Sequence, residues 1–520
     1  MKQNAIRHLV LILGDQLDHH SQALAGFDAP VDVVWMAEVP EEATYVWSHK
    51  LRLAYFFAAM RHFCQELRAQ GKTVRYHALG LDPALDAGRT FGEILTQDIK
   101  ELRPEKLILV RPGDWRVLQD LRQTAEASRV PLELRPDNHF FCSVQEFQDF
   151  ATGKGNLLQE HFYRTQRRAQ GILLDRQQKP IGGRWNFDAD NRRTFGRQGP
   201  PAIPAPKAYP PDAISREVIS LVQHRFAGHP GSLDHFSLPV TAAQAEDFLL
   251  DFIEHRLPNF GTYEDAMWTD QPFLYHSRLS APLNLKLLNP RRCLEAALRA
   301  YEELRVPLNS AEGFIRQIIG WREYIRGIYW LKMPGYQELN YFGHEADVPA
   351  CFWDGNTAMA CLRQTMQFVL AHGYAHHIHR LMVLGLFALL FGVHPRKFHD
   401  WHLAMYLDAV DWVSLPNTLG MSQFGDGGIV GSKPYCASGN YIHRMSNFCV
   451  HCGFKPDKSL GADACPLTTL YWEFLDRHYD RLKTNVRLAY QLRALTAKRA
   501  QPETMAAIRG RAEALRRSLP

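Results

Sequence analysis

PYCASGNYIHRMSNFCVHCGFKPDKSLGADACP, residues 434–466, sets Cys436 ahead of a Cys449-x-x-Cys452 pair and closes on Cys465-Pro466. Two thiolates three positions apart grip one metal ion or one cluster, and a third nearby closes most of a shell. A terminal Cys-Pro recurs in iron–sulfur runs, where the proline fixes the turn beside the last ligand. The fourth ligand has to come from elsewhere, and Cys361, Cys351, Cys436 and His451 are the candidates. Spacing alone leaves three readings open: an iron–sulfur cluster, a zinc ion, or unrelated buried thiols.

Outward from this run the chain reads as helical. From about residue 213 strand patterns disappear, and apolar residues recur at helical spacing over 242–256, 291–305, 311–330, 357–371, 374–392, 395–410 and 467–500. The first part of the chain is different. Short apolar runs at 8–13, 31–36, 74–79, 106–110 and 132–134 read as strands. They alternate with helical patterns at 45–71, 91–102 and 118–127, the first placing Leu53, Phe56, Phe57, Met60, Phe63 and Leu67 on one face. Strands alternating with helices predict a doubly wound parallel sheet over 1–135, with ligands beyond the strand C-termini. Gly14, Asp15, Gln16 and Glu38 fall at such loop positions, and no Gly-x-Gly-x-x-Gly is present to support a dinucleotide. Between them, 136–212 has little periodicity and a proline-rich stretch, GPPAIPAPKAYPPD, and reads as an ordered crossing segment.

At 520 residues the chain is too long for one ordinary core. Hydrophobic residues at 46% and charged residues at 22% are those of a globular protein in water. No apolar run reaches the ~20 residues that span a bilayer. LMVLGLFALLFGV, 381–393, is short and reads as a buried helix. The N-terminal apolar stretch runs into Gly14, Asp15 and Gln16 without a cleavage pattern, so it reads as a strand and not an export signal. Nine scattered cysteines argue against a secreted disulfide framework and for a cytoplasmic compartment. A net charge of +5 permits a polyanionic partner without demanding one. Arginine-rich patches stand at 164–168, 291–292 and in the last twenty residues.

Four stretches carry candidate chemistry. FIRQIIGWREYIRGIYW, 314–330, is apolar round more than one face, as a core helix is, and carries Trp321 and Arg322. In FLYHSRLSAPLNLKLLNP, 273–290, Ser277, Leu279 and Ser280 form a polar turn whose hydroxyls and N–H groups suit a phosphate, or equally a helix cap. His376-His377-Ile378-His379-Arg380 has no His pair at i, i+4, and a helix there would put His376 and Arg380 on one face with His377 pointing elsewhere. WHLAMYLDAVDWVSLPNTLGM, 401–421, offers Asp408, Asp411 and Asn417 as anchors for a polar ligand.

PYCASGNYIHRMSN-x-C-x-x-C and GYAHHIHRLMV, 373–383, resemble the signature of the iron–sulfur bacterial cryptochrome and photolyase family, the photolyase-related proteins. The resemblance continues through LILGDQL, NLLQEHFYRTQRR, GRWNFDADNRR and FGTYEDAM, over nearly the whole chain. It implies the photolyase/cryptochrome fold: an α/β antenna-binding domain over 1–135, a crossing over 136–212, and a large all-α FAD-binding catalytic domain over 213–520. It implies a 4Fe–4S cluster on Cys361, Cys449, Cys452 and Cys465, since neither Cys351 nor Cys436 matches. Flavin contacts carried over are Tyr263, Ser277, Leu279, Ser280, Trp321, Arg322, His376, Arg380, Asp408, Asp411 and Asn417, with Trp401 and Trp353 as electron-transfer residues. The implied antenna is 6,7-dimethyl-8-ribityllumazine near Gly14, Asp15 and Glu38, with Glu38 accepting the ligand's N–H groups.

The activity implied is light-driven repair of (6-4) pyrimidine–pyrimidone photoproducts by an electron from reduced FAD. His377 would be the general acid, assisted by His376, imidazole being the side chain whose unperturbed titration lies near neutrality. UV-damaged DNA is then the partner of a monomer that binds no membrane, the lesion being flipped out of the duplex. Two other readings keep part of this: a cryptochrome-like blue-light photoreceptor without repair, and a non-photoactive nucleic-acid-binding protein with a cluster or zinc module. The chain departs from its relatives at three places: Ile318 stands where enzymes acting on cyclobutane dimers carry Glu, His402 where relatives often have Tyr, and Ser414 where some have Glu.

Overall fold

The protein is described by a computed structural model covering residues 6–518, so residues 1–5 of the N-terminal run and 519–520 of the arginine-rich tail lie outside the described residues. Five strands, β1 (His8–Leu11), β2 (Asp32–Ala37), β3 (Val74–His77), β4 (Lys106–Val110) and β5 (Leu132–Arg135), form one parallel sheet in the order β3-β2-β1-β4-β5. His8 stands opposite Asp32 on one side and Lys106 on the other. The three inner strands are near-continuous apolar runs because helices cover both faces. Helix Lys50–Ala69 packs on Val10, Val34, Met36 and Ile108, while helices Phe91–Leu102 and Trp115–Ala127 cover Leu9, Leu11, Trp35 and Leu107.

The helix expected over 45–71 starts only at Lys50. The His49 ring accepts the Leu51 N–H at 3.0 Å and caps it, and a separate short helix, Pro40–Thr44, precedes it. The crossing segment is more regular than its sequence suggests, for it holds helices Val144–Ala151 and Gln159–Gln170. The first begins in a capping box, Ser143 and Glu146 each satisfying the other's backbone N–H.

Among the described residues of the remainder every regular element is helical, and three long expected helices are interrupted. The 311–330 stretch is Leu308–Ile315, a π-helical turn Arg316–Arg322, and Glu323–Lys332. The 374–392 stretch is not helical until His377, runs through a π turn at His379–Gly385, and finishes as Leu386–Phe391. The 467–500 stretch breaks into Pro466–Arg477, Tyr479–Leu482 and Ala489–Arg499, with Pro502–Ser518 beyond. The helix expected to reach 410 stops at Met405. Among the described residues no helix is long and apolar enough to cross a membrane.

The two domains meet where the strands end. Trp412 N–H donates to the Gly113 carbonyl at 2.9 Å, and Leu17 N–H donates to the Leu285 carbonyl at 2.9 Å. Lys286 reaches Asp137 at 2.8 Å, both side chains being buried. Burial pushes the Asp137 carboxyl up, but the charges of Lys286, Arg326 and His139 outweigh that and hold it at about 2. At Gly113 the chains approach so closely that a Cβ would stand 2.4 Å from Val410 Cγ1 and 2.5 Å from an Asp15 carboxylate oxygen. Gly113→Ala is therefore expected to cost about 1–3 kcal/mol by overpacking the seam, read as a lower midpoint in thermal unfolding.

Candidate functional site

Cys361 stands in the first turn of helix Ala360–His372, Cys449 in the short helical turn Phe448–His451, and Cys465 at the N-cap of Pro466–Arg477. These three and Cys452 line one cavity walled by Met359, Phe448 and Leu467. Cys351, Cys436 and His451 do not line it, which leaves Cys361 as the fourth sulfur. Gly439 lets the chain pass: a Cβ there would lie 2.8 Å from Cys465 Sγ. Burial, then the nearby Cys465, Cys449 and Cys452, push the Cys361 thiol well above its ordinary pKa, so an electrophilic centre is needed before it ionises.

The spread of the sulfurs separates the metal readings. Zn–S bonds of about 2.3 Å bring tetrahedral sulfurs to within about 4 Å of each other. Among the described residues no three cysteine sulfurs lie within 4.8 Å of one another. A polynuclear core, with its ligands on separate irons, fits that spacing better than one ion.

The expected flavin region is built around Arg380. Arg380 donates from both terminal nitrogens to the two Asp408 oxygens at 3.1 Å each, and from Nε to the Ala375 carbonyl at 2.6 Å. Its guanidinium lies 3.8 Å above the Tyr406 ring. Burial lowers the Arg380 pKa, but Asp408 and Tyr406 reverse that and hold it above its ordinary value. The Asp408 carbonyl in turn accepts from Asn284 Nδ2 at 2.7 Å, joining this pair to the turn that carries Ser277, Leu279 and Ser280.

That turn holds a residue passed over in the sequence reading. Arg278 has φ +57 and lies over Phe273 at 4.0 Å without an ion pair among the described residues. Burial draws its pKa down to about 10. An unpaired, largely desolvated guanidinium beside two serines fits a pyrophosphate. Near Arg278 and the Arg380–Asp408 pair, Tyr55 Oη, Tyr406 Oη, His402 Nε2 and Arg52 Nε are buried with no partner among the described residues, as expected where a polar cofactor completes the set. Arg278 was legible inside HSRLS, whereas Arg52 and Tyr55 come from the α/β domain and carry no local signal.

The other expected contacts divide. Trp321 Nε1 donates to Asn417 Oδ1 at 2.8 Å, so those two act together. Tyr263 stacks between Phe195 and Tyr275 at 4.5 and 5.6 Å. Arg322 is turned to the seam, donating to the His139 carbonyl at 3.0 Å and to Glu323 at 3.1 Å, with only Nε unpartnered. Asp411 accepts from the Tyr329 hydroxyl and faces His399 Nε2 at 2.8 Å, so its oxygens are engaged by protein. Trp401 donates to the Phe352 carbonyl at 2.9 Å, and the adjoining Trp353 packs on the half-exposed Trp47 at 5.2 Å.

His376 does not share a helical face with Arg380, because the helix begins after it. It lies just before the helix, its ring between His276 at 4.2 Å and His379 at 3.9 Å. Burial, then His379 and His276, hold its pKa well below the ordinary value. His377 alone of this set reaches solvent, 48% exposed, with Asp265 3.6 Å from its Nε2.

Near the sheet, Asp15 accepts from Gly113 N–H at 2.7 Å and its pKa is raised by burial. Gly14 precedes it in the same loop. Glu38 is not a free loop carboxylate. It is buried and takes Arg61 on both oxygens at 2.8 and 2.9 Å, the Tyr76 hydroxyl at 2.6 Å and Leu79 N–H at 2.8 Å, so no lone pair is left for a ligand.

An open parallel sheet, a long crossing and a helical domain with this arginine–carboxylate core define the photolyase/cryptochrome architecture. The structure aligns with a bacterial class III photolyase from Agrobacterium tumefaciens at a TM-score of 0.54 and 17% identity, covering 93% of this chain and 92% of that one. A Synechocystis cryptochrome aligns at 0.52 and 13% identity, covering 92% and 90%. Residues 10–238 match the family described as deoxyribodipyrimidine photo-lyase-related protein. A (6-4) photolyase of Agrobacterium fabrum is 46% identical over 483 residues, 92% of this chain and 94% of that protein. The chain belongs to the photolyase-related family, with a (6-4) photolyase as a full-length relative.

Removing Asp408 leaves the Arg380 charge buried without its counterpart. Asp408→Ala is expected to lower unfolding free energy by about 3–5 kcal/mol, measured by urea denaturation at constant pH.

Proposed function

We propose that this protein is a light-driven, FAD-dependent (6-4) photolyase that restores the two pyrimidines of a (6-4) photoproduct in DNA. The match over 92% of the chain to a (6-4) photolyase carries the reading. Reduced FAD, when bound, supplies the light-driven electron that makes the inter-base bond labile. Everything else falls to this chain's own residues. Arg278, Ser277 and Ser280 would hold the pyrophosphate, and the Arg380–Asp408 pair would fix the floor of the site. His377, the exposed imidazole beside Asp265, would give its proton to the lesion so that the hydroxyl can return to its original base. His376, buried behind it, would limit its motion.

The same reading places a 4Fe–4S cluster on Cys361, Cys449, Cys452 and Cys465, supported by their shared cavity and wide spacing. A structural role suits it, tying the C-terminal helices to the helix of Cys361. For the antenna, 6,7-dimethyl-8-ribityllumazine would lie against the loop of Gly14 and Asp15, without Glu38. The protein would act as a cytoplasmic monomer on UV-damaged DNA.

Two oligonucleotides, one with a single (6-4) photoproduct and one with a single cyclobutane dimer, test the activity. Light should remove the (6-4) lesion alone, and His377→Ala should slow removal by about 10²–10⁴-fold with flavin content unchanged. No repair of either lesion by flavin-loaded protein would point instead to a blue-light photoreceptor. For the cluster, iron and acid-labile sulfide should be lost in Cys361→Ser and retained in Cys351→Ser and Cys436→Ser. Equal iron in all three would sink the ligand assignment.

A further inference from the structure

Behind His377 lies a residue to which the reaction as described gives no task. His276 sits in the turn after Phe273, its N–H donating to the Phe273 carbonyl at 2.9 Å, and only 7% of it is exposed. Its Nε2 is buried with no partner among the described residues. In the neutral ring with its proton on Nδ1, Nε2 presents a bare lone pair. One ring nitrogen each of His276, His376 and His377 lie within 4.8 Å of one another. That gap is spanned by a short turn of the exposed His377 side chain, or by one water with two hydrogen bonds of about 2.8 Å.

We propose that His276 is the positioning residue for His377, its unpartnered Nε2 accepting the hydrogen bond of the charged His377 ring directly or through one water. This rests on the reading of His377 as the proton donor. A neutral acceptor favours the charged form of its partner and fixes the ring's orientation, as a second group does for the base in other imidazole sites. Burial, then the charges of His377 and His379, hold His276 far below the ordinary histidine pKa, so it stays a neutral base.

Two carboxylates also stand near His377. Asp265 stands 3.6 Å from His377 Nε2 and is itself partly exposed. The Glu264 carboxylate is drawn toward Asn191 and Gln317 at 3.4 and 3.3 Å. Arg380 is committed to Asp408, and the His376 ring stacks on His276 at 4.2 Å with His379 tilted against it at 3.9 Å. The group is a poor metal shell, because His276 and His376 stack with planes 9° apart and their in-plane lone pairs run side by side.

The test compares flavin-loaded wild type, His276→Leu and His276→Gln in two measurements. Isotope-labelled histidine NMR follows the titration of His377, and repair of a (6-4) oligonucleotide is measured across pH. An acceptor that favours the protonated ring raises its pKa, so removing it lowers that pKa. In His276→Leu the His377 titration and the alkaline limb of repair should both move down by roughly one pH unit, a tenfold change in the protonated fraction above it. His276→Gln, whose amide oxygen accepts, should recover most of the shift. A wild-type His377 titration in His276→Leu overturns the proposal, as does loss of flavin from both variants, which would make His276 a cofactor-holding group. If His377→Ala repairs normally, the proton-donor reading fails, while the NMR titration still decides the role of His276.

Discussion

A guanidinium and a carboxylate withdrawn from water, Arg380 against Asp408, form the contact on which the helical domain depends. Each ion would be strongly disfavoured there alone, and the doubled hydrogen bond offsets that only in one geometry. The pair therefore fixes position more than it adds stability. Through Arg380 Nε it holds the carbonyl of Ala375, just before the histidine run. Through the Asp408 carbonyl it holds Asn284 and the turn of Ser277 to Ser280. Two residues on, the same loop presents Val410 and Trp412 to Gly113 of the α/β domain. The polar floor of the flavin region and the seam between domains thus share one short loop.

The seam itself is polar, and this decides which charged residues are available for chemistry. Arg322, Glu323, Asp137, Lys286 and Asp411 are buried or nearly so, and each finds its partner within the protein. Arg278 differs from them, for burial draws its pKa down to about 10 and it has no carboxylate partner among the described residues. Burial alone would not have separated these groups. The presence or absence of a partner does.

The sheet was legible because a parallel strand covered on both faces has to be apolar throughout, as HLVL, DVVWMA and KLILV are. The interrupted helices were not. A π turn adds one residue to a turn, and in stretches such as RQIIGWR and HRLMVLG apolar residues lie all round, so periodicity carries no trace of the insertion. His376 was placed on a helical face with Arg380, but the helix begins only at His377. Crossing helices were readable from Ser143 and Glu146 but were masked by the proline-rich stretch that follows. Among cysteines, spacing gave the Cys449–Cys452 pair and Cys465. Cys361 needed either the family resemblance or the folded chain, because nothing local distinguishes it from Cys351. Glu38 shows the opposite failure: its loop position suggested a ligand, and only the fold reveals Arg61 and Tyr76 around it.

Cys361 and Cys465 share one cavity although about a hundred residues separate them, and that stretch contains His377, Arg380, Trp401 and Asp408. Any group held jointly by them turns the stretch into a closed loop. In the chain-entropy picture a closure of this length removes freedom from the unfolded chain equivalent to about 4–5 kcal/mol. It also imposes an order of assembly, since the last sulfur emerges from the ribosome only after every residue inside the loop. With such a group bound, the flavin side would have to collapse first as an open chain, and the cysteines would then act as a latch that makes its release rare.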